Sequence, residues 1–393
     1  MSPVRVAPPA GPAEWDGYMR VSSGAFGSTM AETRDWFAGS RGGDRIALVA
    51  SEGGRVVGGA LAYLVPQRFG GRDVPAGAVG DVCVAAERRG RGVARTLLRR
   101  LDRAMRDAGA VVSPLWPSTL RLYRREGWEV AGAALRWSLP PVRLEALRGA
   151  GEAVADPGPR FRAAHAPTIE GYDGPLVRPE WWWRWLWPDA AREGVRRIGW
   201  IEDGRPTGLM RTRRIGSGDA LGPLKVEELW AATPDALRGL LGLLGTESTQ
   251  TDEVVFGLAT LPPAPDLLWV LPELPIRASA PETWMLRLLD AAAALDARGW
   301  PGRAEARVEL EIHDPMAERP LRLVLEVGAG EGRVSPGGAG RVRIGAGALA
   351  AWYAGSLSAT RAARAGLAEG PPADLLALDG LTGDRPVWLS EDF

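Results

Sequence analysis

A segment rich in arginine and glycine, Arg88–Ala94, has the residue types of a phosphate-binding loop. It follows a strand-like run, Ala76–Val84, and leads directly into a strongly helical stretch. Glycine lets the backbone approach a ligand closely, and the free N–H groups and positive dipole end of a helix N-terminus favour an anion. Within the segment, Arg89-x-x-Gly92-x-Ala94 fits an (Arg/Gln)-x-x-Gly-x-(Gly/Ala) pattern. Such a turn occurs by itself in many glycine-rich chains, but between a strand and a helix it indicates a pyrophosphate site.

The elements around this segment form an alternation of helices and strands over about the first 140 residues. Apolar periodicity, together with β-rich runs bounded by glycine turns, decides each assignment. The predicted order is helices Glu14–Phe26 and Ala31–Phe37, strands Arg45–Ser51, Arg55–Val65 and Ala76–Val84, helix Val93–Ala108, strand Ala110–Leu115, helix Thr119–Glu126 and strand Trp128–Leu139.

Two further units are predicted after breaks rich in proline, glycine and alanine, at Pro140–Gly158 and Leu261–Ala280. The second unit has the Trp-rich segment Glu180–Pro188, strands Val195–Glu202 and Thr207–Ile215, the segment Val226–Trp230, helix Asp235–Leu244 and strand Glu253–Leu258. The third has an apolar helix from about Thr283 to Ala297, strands Arg307–Ile312 and Leu321–Val327, the segment Gly347–Leu357, and helices Ser358–Leu367 and Ala373–Asp379.

The composition excludes several classes of function. The chain has 393 residues, 46% apolar and 24% charged, with 48 basic and 48 acidic side chains, which is typical of a folded multidomain protein without a nucleic-acid partner. It has neither a long apolar run nor a signal peptide, so a cytoplasmic protein without a membrane partner is expected. The single cysteine, Cys83, excludes an internal disulfide, and two histidines, His165 and His313, make a metal site improbable.

The strand, the Arg/Gly loop, the amphipathic helix and the following Tyr-bearing short helix together resemble the GNAT superfamily of acyl-CoA N-acetyltransferases. The resemblance implies a strand that splays from its neighbour, so that the backbone of Val82 and Val84 pairs with the pantetheine arm of acetyl-CoA. It also implies that the loop holds the pyrophosphate, with the residues Arg89, Gly90, Arg91, Gly92, Val93 and Ala94. The second unit lacks this loop and is not expected to bind acetyl-CoA.

Finer motifs resemble the Eis (enhanced intracellular survival) family of these enzymes. Two of them are Val82-Cys83-Val84-Ala85 and Pro117-Ser118-x-x-x-x-Tyr123-x-x-x-Gly127. The third, Trp284–Asp290 followed by Ala294-Leu295, is similar to the family's entry into a sterol-carrier-like domain. The fold class implied is α/β (α+β): two GNAT-like domains with mixed central sheets flanked by helices, then a sterol-carrier-like α/β domain. The expected boundaries are 1–140 for the catalytic domain, 141–281 for the degenerate second GNAT-like domain and 282–393 for the third.

Two residues are expected to move protons during acetyl transfer. The phenol of Tyr123 has a reference pKa near 10, close enough to the value of about 8.5 for a thiol to protonate the departing thiolate. Neither histidine lies near the motif, and the resemblance implies that the carboxylate of Phe393, the last residue, is delivered from the third domain as the base. The resemblance also makes Ser118 a cofactor contact.

The acceptor-binding residues are expected to be aromatic and acidic. Phe26 and Trp36 resemble pocket positions of the family, and Asp392, with Glu391, could bind a cationic amine if the chain end docks. The sequence departs from aminoglycoside-modifying members after Phe26, where Gly27-Ser28-Thr29 stands instead of an acidic residue. The Trp-rich segment and Cys83 are interpreted as core packing.

The predicted function is acetyl-CoA-dependent acetylation of a primary amine of a small molecule (aminoglycoside-like, polyamine or lysine-type) by direct transfer in a ternary complex. The resemblance implies a homo-oligomer, a hexamer in the family. Two alternatives remain open at this point: a non-catalytic lipid- or small-molecule-binding protein on a degenerate GNAT scaffold, and an acyltransferase that uses a longer acyl-CoA.

Overall fold

The computed structural model describes residues 4–42, 44–188, 194–216, 222–271, 276–279 and 281–393. Within these residues the strands form three large sheets and one small hairpin. The first part of the chain has β1 (Arg5–Ala7), α1 (Pro12–Phe26), α2 (Met30–Gly39), β2 (Arg45–Glu52), β3 (Arg55–Leu64), β4 (Gln67–Phe69), β5 (Arg72–Val74), β6 (Gly77–Val84), α3 (Val93–Asp107), β7 (Val112–Leu115), α4 (Leu120–Arg125) and β8 (Glu129–Ala134).

Local signals in the sequence explain where these first helices begin and end. Helix α1 starts with proline at its first position and ends at Gly27, whose φ of 69° is left-handed. Helix α2 begins with a capping box, in which Thr29 and Glu32 each bind the other's backbone N–H. Helix α3 buries an apolar stripe that includes Leu97, Leu101 and Met105 against the first sheet.

The middle of the chain forms a second sheet, in the order β10-β11-β12-β13-β14-β9-β15. Its helix α7 begins at the N-cap Thr233, whose hydroxyl accepts a hydrogen bond from the N–H of Ala236, and packs on one face of the sheet. The elements are β9 (Trp137–Leu139), β10 (Glu152–Ala155), α5 (His165–Ile169), α6 (Glu180–Leu186), β11 (Val195–Glu202), β12 (Arg205–Arg214), β13 (Leu224–Ala231), α7 (Pro234–Gly245), β14 (Val254–Phe256), α8 (Leu267–Val270) and β15 (Arg277–Ala278).

The last part of the chain forms a five-stranded sheet, in the order β19-β18-β17-β20-β21, with helices packed against it. Strand β16 comes first in this part of the chain, but it lies in the first sheet. The elements are β16 (Glu282–Leu288), α9 (Ala291–Ala297), β17 (Ala306–His313), β18 (Leu321–Gly328), β19 (Glu331–Pro336), β20 (Val342–Gly345), α10 (Ala346–Ala354), α11 (Ala359–Arg364), β21 (Ala368–Glu369) and α12 (Pro372–Asp379). Mixed sheets flanked by helices confirm the predicted α/β (α+β) class.

The predicted helix from Thr283 to Ala297 is wrong in its first half. Residues Glu282–Leu288 form strand β16, which lies between β7 and β8 in the first sheet and is antiparallel to both. Trp284 and Leu286 face one apolar core and Met285 the other, so both faces of the strand are buried. A continuous apolar run of this kind has no alternation that would distinguish a strand from a buried helix.

A second difference concerns the predicted strand Trp128–Leu139. It is divided into β8, which stays in the first sheet, and β9, which pairs with β14 and β15 in the second. The expected boundary at 140 follows β9, which already belongs to the second sheet. The expected boundary at 282 coincides with the start of β16, which still belongs to the first sheet. We propose that the third domain begins only after β16.

No helix in the described residues is both long and apolar enough to cross a membrane.

Candidate active site

Strands β6 and β7 diverge in the middle of the first sheet. They are parallel, and their register includes one residue pair, Val79 with Leu115, after a bridge between Ala76 and Val112. Beyond Val79, strand β6 continues to Val84 paired with β3 on its other side. The segment that contains Val82 and Val84 therefore extends beyond the pairing with β7. Pairing of these two residues with pantetheine stays a prediction.

A strained residue, Asp81, lies at this point of β6. Its φ of 52° is left-handed, and the register between β3 and β6 shifts beside it. The hydroxyl of Ser22 on α1 donates a 2.6 Å hydrogen bond to Oδ1 of Asp81, and the hydroxyl of Tyr18 donates one of 2.9 Å to its backbone oxygen. The other carboxylate oxygen, Oδ2, is buried and has no hydrogen-bond partner among the described residues.

Burial raises the pKa of Asp81 to about 6, although the Ser22 hydroxyl acts in the opposite direction. A carboxyl group with this pKa can accept or release a proton near neutral pH. Asp81 was not among the site residues predicted from the sequence. The available signal was a single acidic residue in an otherwise apolar strand, Ala76–Val84.

The predicted phosphate loop has the geometry of an anion cradle. Gly90 and Gly92 have φ angles of 75° and 81°, and a Cβ atom at either position would point into open space. Gly92 is the N-cap of the 15-residue helix α3, whose first N–H groups receive no side-chain cap. The Nε of Arg89 donates a 3.2 Å hydrogen bond to the carbonyl of Val84 and so ties the loop to the end of β6.

The other predicted loop residues lie in the same place. Val93 and Ala94 form the first turn of α3, and Arg91 is exposed before it. The Nε of Arg88 pairs with Glu52 at 2.6 Å and holds the base of the loop. The loop therefore connects the end of β6 directly to the N-terminus of α3.

Tyr123 lies on α4, on the α3 side of the first sheet. Its side chain is 4% exposed and packs in an apolar cluster with Leu115 and Trp128, against which Val82 and Val84 also pack. Burial raises the pKa of Tyr123 to about 12, so the phenol stays protonated through the neutral range. Ser118 is exposed in the connection between β7 and α4.

The end of the chain is bound along the junction between the first two sheets. The backbone of Trp388 donates a 2.8 Å hydrogen bond to the carbonyl of Asp173, and the Nε1 of Trp116 donates one of 2.8 Å to the carbonyl of Glu391. Arg178 holds the Glu391 carboxylate at 2.7 Å, and both side chains are 2% exposed. Glu391 was expected to bind a cationic amine, but this ion pair occupies its carboxylate.

Phe393 reaches the strained part of β6. A Cβ atom on Gly80 would lie 3.5 Å from the carboxyl carbon of Phe393. The ring of Phe393 lies 6.3 Å from that of Trp182 on the Trp-rich helix α6, which packs against Tyr63 of β3. The terminal carboxyl group therefore lies beside Gly80, the residue that precedes Asp81 on β6.

A cavity of about 580 Å³ lies beside the chain end. It is lined by Trp36 from α2, by Ser390, Glu391 and Asp392, and by side chains of the second sheet. Phe26, the other predicted aromatic pocket residue, lies outside this lining at the end of α1 and is 56% exposed.

The remaining candidates have structural surroundings. Cys83 is 2% exposed, and burial raises the pKa of its thiol, which favours the expected packing role over a nucleophilic one. His165 is buried edge-on to Trp183 and Trp230, and burial lowers its pKa to about 3. The Trp-rich helix α6 forms core, as predicted, with Trp181, Trp182, Trp183 and Trp185 buried.

Comparison with protein families divides the chain into three matches. A family described as acetyltransferase (GNAT) domain matches residues 8–131, a second family with the same description matches residues 174–288, and the sterol carrier protein domain matches residues 291–390. The second and third matches meet just after β16, between residues 288 and 291.

Individual proteins are similar over the full length. A curated protein of Streptomyces avermitilis, described as an uncharacterized N-acetyltransferase, is 27% identical and aligns with 86% of this chain and 90% of its own. The crystal structure of a GCN5-related N-acetyltransferase from Kribbella flavida is 28% identical, has a TM-score of 0.84 and covers 100% of this chain and 98% of its own. Eis1 from Mycobacterium abscessus shares the fold, with a TM-score of 0.79, 23% identity and 100% coverage of both chains.

Proposed function

We propose that this chain, which has two GNAT acetyltransferase domains followed by a sterol carrier protein domain and shares the fold of Eis1, is an Eis-like N-acetyltransferase that transfers the acetyl group of acetyl-CoA directly to a primary amine of a small molecule. One observation carries the proposal. The open Gly90–Gly92 turn joins the end of β6 to the start of α3, and the Phe393 carboxyl group lies beside Gly80, which precedes Asp81 on β6. A donor anchored in the loop would therefore present its thioester next to groups that can move protons.

In the proposed reaction the nitrogen of the acceptor amine attacks the thioester carbonyl in a ternary complex. A C–N bond forms, the C–S bond breaks, and the backbone at Val82 and Val84 holds the donor in place. The amine gives up a proton to the carboxylate of Phe393, directly or through water, and the phenol of Tyr123 protonates the leaving thiolate. The acyltransferase families matched by the chain favour this reading over a binding protein on an inactive scaffold.

The second GNAT domain is assigned a different role. It supplies part of the wall of the 580 Å³ cavity, and its strands lead to helix α7 without an Arg-x-x-Gly-x-Ala loop. We propose that it shapes the acceptor cavity, while the first domain alone binds acetyl-CoA.

The test is release of free CoA thiol from acetyl-CoA over a panel of amines, with the natural C-terminus left unmodified. Tyr123→Phe removes the proposed acid and is expected to lower turnover about a hundredfold, since a general acid contributes roughly 10²–10⁴-fold. Tyr172→Phe is the matched control, because Tyr172 is half-buried beside Trp388 and outside the first sheet. Amine-dependent release that is equal in both variants would contradict the role of Tyr123.

The Phe393 carboxylate is tested by adding two residues, glycine and serine, after it. The extension moves the terminal carboxylate away from Gly80 and is expected to reduce turnover far more than affinity for acetyl-CoA, measured by calorimetry. Turnover equal to that of the natural chain would refute the base role.

A further inference from the structure

Basic side chains from three neighbouring strands of the second sheet line the cavity of about 580 Å³. They are Arg197 on β11, Arg211 and Arg213 on β12, and Lys225 on β13, and we call these four residues the basic floor. The register puts Arg197 directly opposite Arg211 and Arg213 directly opposite Lys225. Like charges directly opposite one another destabilise a sheet, so this arrangement needs compensation by anions.

Two carboxylates of the cavity wall, Glu227 and Glu228, are already engaged by arginine. Glu227 pairs with Arg211 at 3.1 Å and with Arg213 at 3.0 Å. Glu228 pairs with Arg178 at 2.8 Å. Burial alone would raise the pKa of Glu228, but the charges of Arg178 and Arg211 outweigh burial and lower the pKa to about 2. Both carboxylates are bound to arginine, so they are poor partners for an incoming ammonium group.

Three buried polar groups of the wall can donate hydrogen bonds. Trp230 Nε1, Arg178 Nη1 and the hydroxyl of Ser390 are buried and have no hydrogen-bond partner among the described residues. Trp230 is 2% and Ser390 5% exposed, and the side chain of Arg178 is 2% exposed. An indole N–H and a guanidinium donate only, and a hydroxyl can donate.

Lys225 adds a full charge to this set. Within the described part of the chain, its ammonium group has no salt bridge or hydrogen bond, and it interacts electrostatically with Asp392, which is exposed at the cavity rim. A buried donor without a partner costs free energy, and a bound acceptor group would recover it.

We propose that the acceptor carries an anionic group, a carboxylate or a phosphate, in addition to its amine, and that the basic floor binds this group. The inference rests on the proposed acetyl transfer and specifies its substrate class. The cavity wall ends at Asp392, one residue from the Phe393 carboxyl group, so an acceptor anchored on the floor can direct its amine toward the proposed base. A volume of about 580 Å³ suits a small metabolite. Polyamines and aminoglycosides, which are purely cationic, would meet the floor with the wrong charge.

The experiment compares acceptors that differ only in the anionic group. L-Lysine is paired with cadaverine, L-ornithine with putrescine, and phosphoethanolamine with ethanolamine, so that the carboxylate and phosphate sources are separated. The measured quantity is the ratio of kcat/KM within each pair, and binding of each acceptor is also followed by calorimetry. We expect at least one anionic member to exceed its partner by about tenfold or more, since hydrogen bonds to charged groups are the strong ones.

Lys225→Gln should bring that ratio close to one, and Lys225→Arg should retain it. Arg205→Gln is the matched control, because it also removes one positive charge from the second domain at an exposed residue outside the cavity. The control should leave the ratio unchanged, as charge lost far from the cavity is screened.

The outcomes separate the two proposals. Efficient acetylation of cadaverine, putrescine or ethanolamine with no preference for their anionic partners would overturn the anionic acceptor and leave acetyl transfer intact. Absence of thiol release with every amine, together with Lys225-dependent binding of the anionic members, would overturn the proposed reaction and retain the anion site. Equal or absent binding of both members in every pair would overturn the anion site.

Discussion

Replacing Asp81 with asparagine tests the electrostatic description of strand β6. Asparagine tolerates a left-handed φ, so the 52° angle of Asp81 remains accessible, and its amide oxygen can still accept the Ser22 hydrogen bond. The variant removes only the ionisation of a buried carboxyl group. We therefore expect a change in stability that depends on pH.

The magnitude follows from the pKa. Asp81 titrates near 3.8 in an unfolded chain and at about 6 in the folded protein, so between these values the folded state binds more protons. Stability contributed by this group falls as pH rises from about 4 to about 6 and then stays level, with a total loss of about 3 kcal/mol. About half of that loss has occurred at pH 5. The advantage of Asp81→Asn over the natural chain should therefore grow by about 1.5 kcal/mol between pH 5 and pH 8.

Thermal unfolding followed by circular dichroism at several pH values measures this difference. A relative rise of roughly 3–6 °C in the unfolding midpoint of the variant is expected between pH 5 and pH 8, if the first domain unfolds as a unit. Asp203→Asn is the matched control, because Asp203 also has a left-handed φ, 47°, but is exposed in the turn between β11 and β12. An advantage of Asp81→Asn that does not change with pH, or that Asp203→Asn shares, would refute the reasoning.

Three further predictions concern the loop, the chain end and the cysteine. Gly92→Val places a branched side chain at a φ of 81° beside the proposed pyrophosphate site and should weaken acetyl-CoA binding about tenfold in calorimetry. Gly27→Val is its control, because Gly27 has a φ of 69° and equally open surroundings, and this variant should lower only the unfolding midpoint. Glu391→Gln weakens the ion pair with Arg178 and should lower the turnover number while leaving acetyl-CoA affinity unchanged. Equal losses of turnover and of acetyl-CoA affinity would contradict this prediction. The buried thiol of Cys83, with its raised pKa, should react with a thiol reagent only in denaturant, and fast labelling of the native protein would disprove its burial.

The sequence was most informative where local chemistry decides the structure. The loop residues Arg89–Ala94 were predicted correctly as the connection between a strand and a helix, because glycine and helix-start signals act within a few residues. Helices α1, α2 and α3 were also predicted within a few residues of their ends, since capping and apolar periodicity are local properties.

The parts that the sequence did not reveal depend on contacts between distant residues. Strand β16 becomes a strand because β7 and β8 lie on either side of it, and its apolar run alone did not indicate this. Asp81 becomes unusual because Ser22, Tyr18 and the end of the chain surround it. The basic floor likewise depends on the register of three strands, which brings Arg213 and Lys225 opposite one another although they are separated in the chain.

The position of β16 also constrains the order in which the protein can fold during synthesis. This strand fills a place inside the first sheet, between β7 and β8, and it leaves the ribosome only after the whole second domain. Until then β7 and β8 face a vacant place with unpaired backbone groups, which are open to pairing with another chain. The first domain therefore cannot mature as an independent N-terminal unit, and a nascent chain is at greatest risk of aggregation while residues 135–281 are being made.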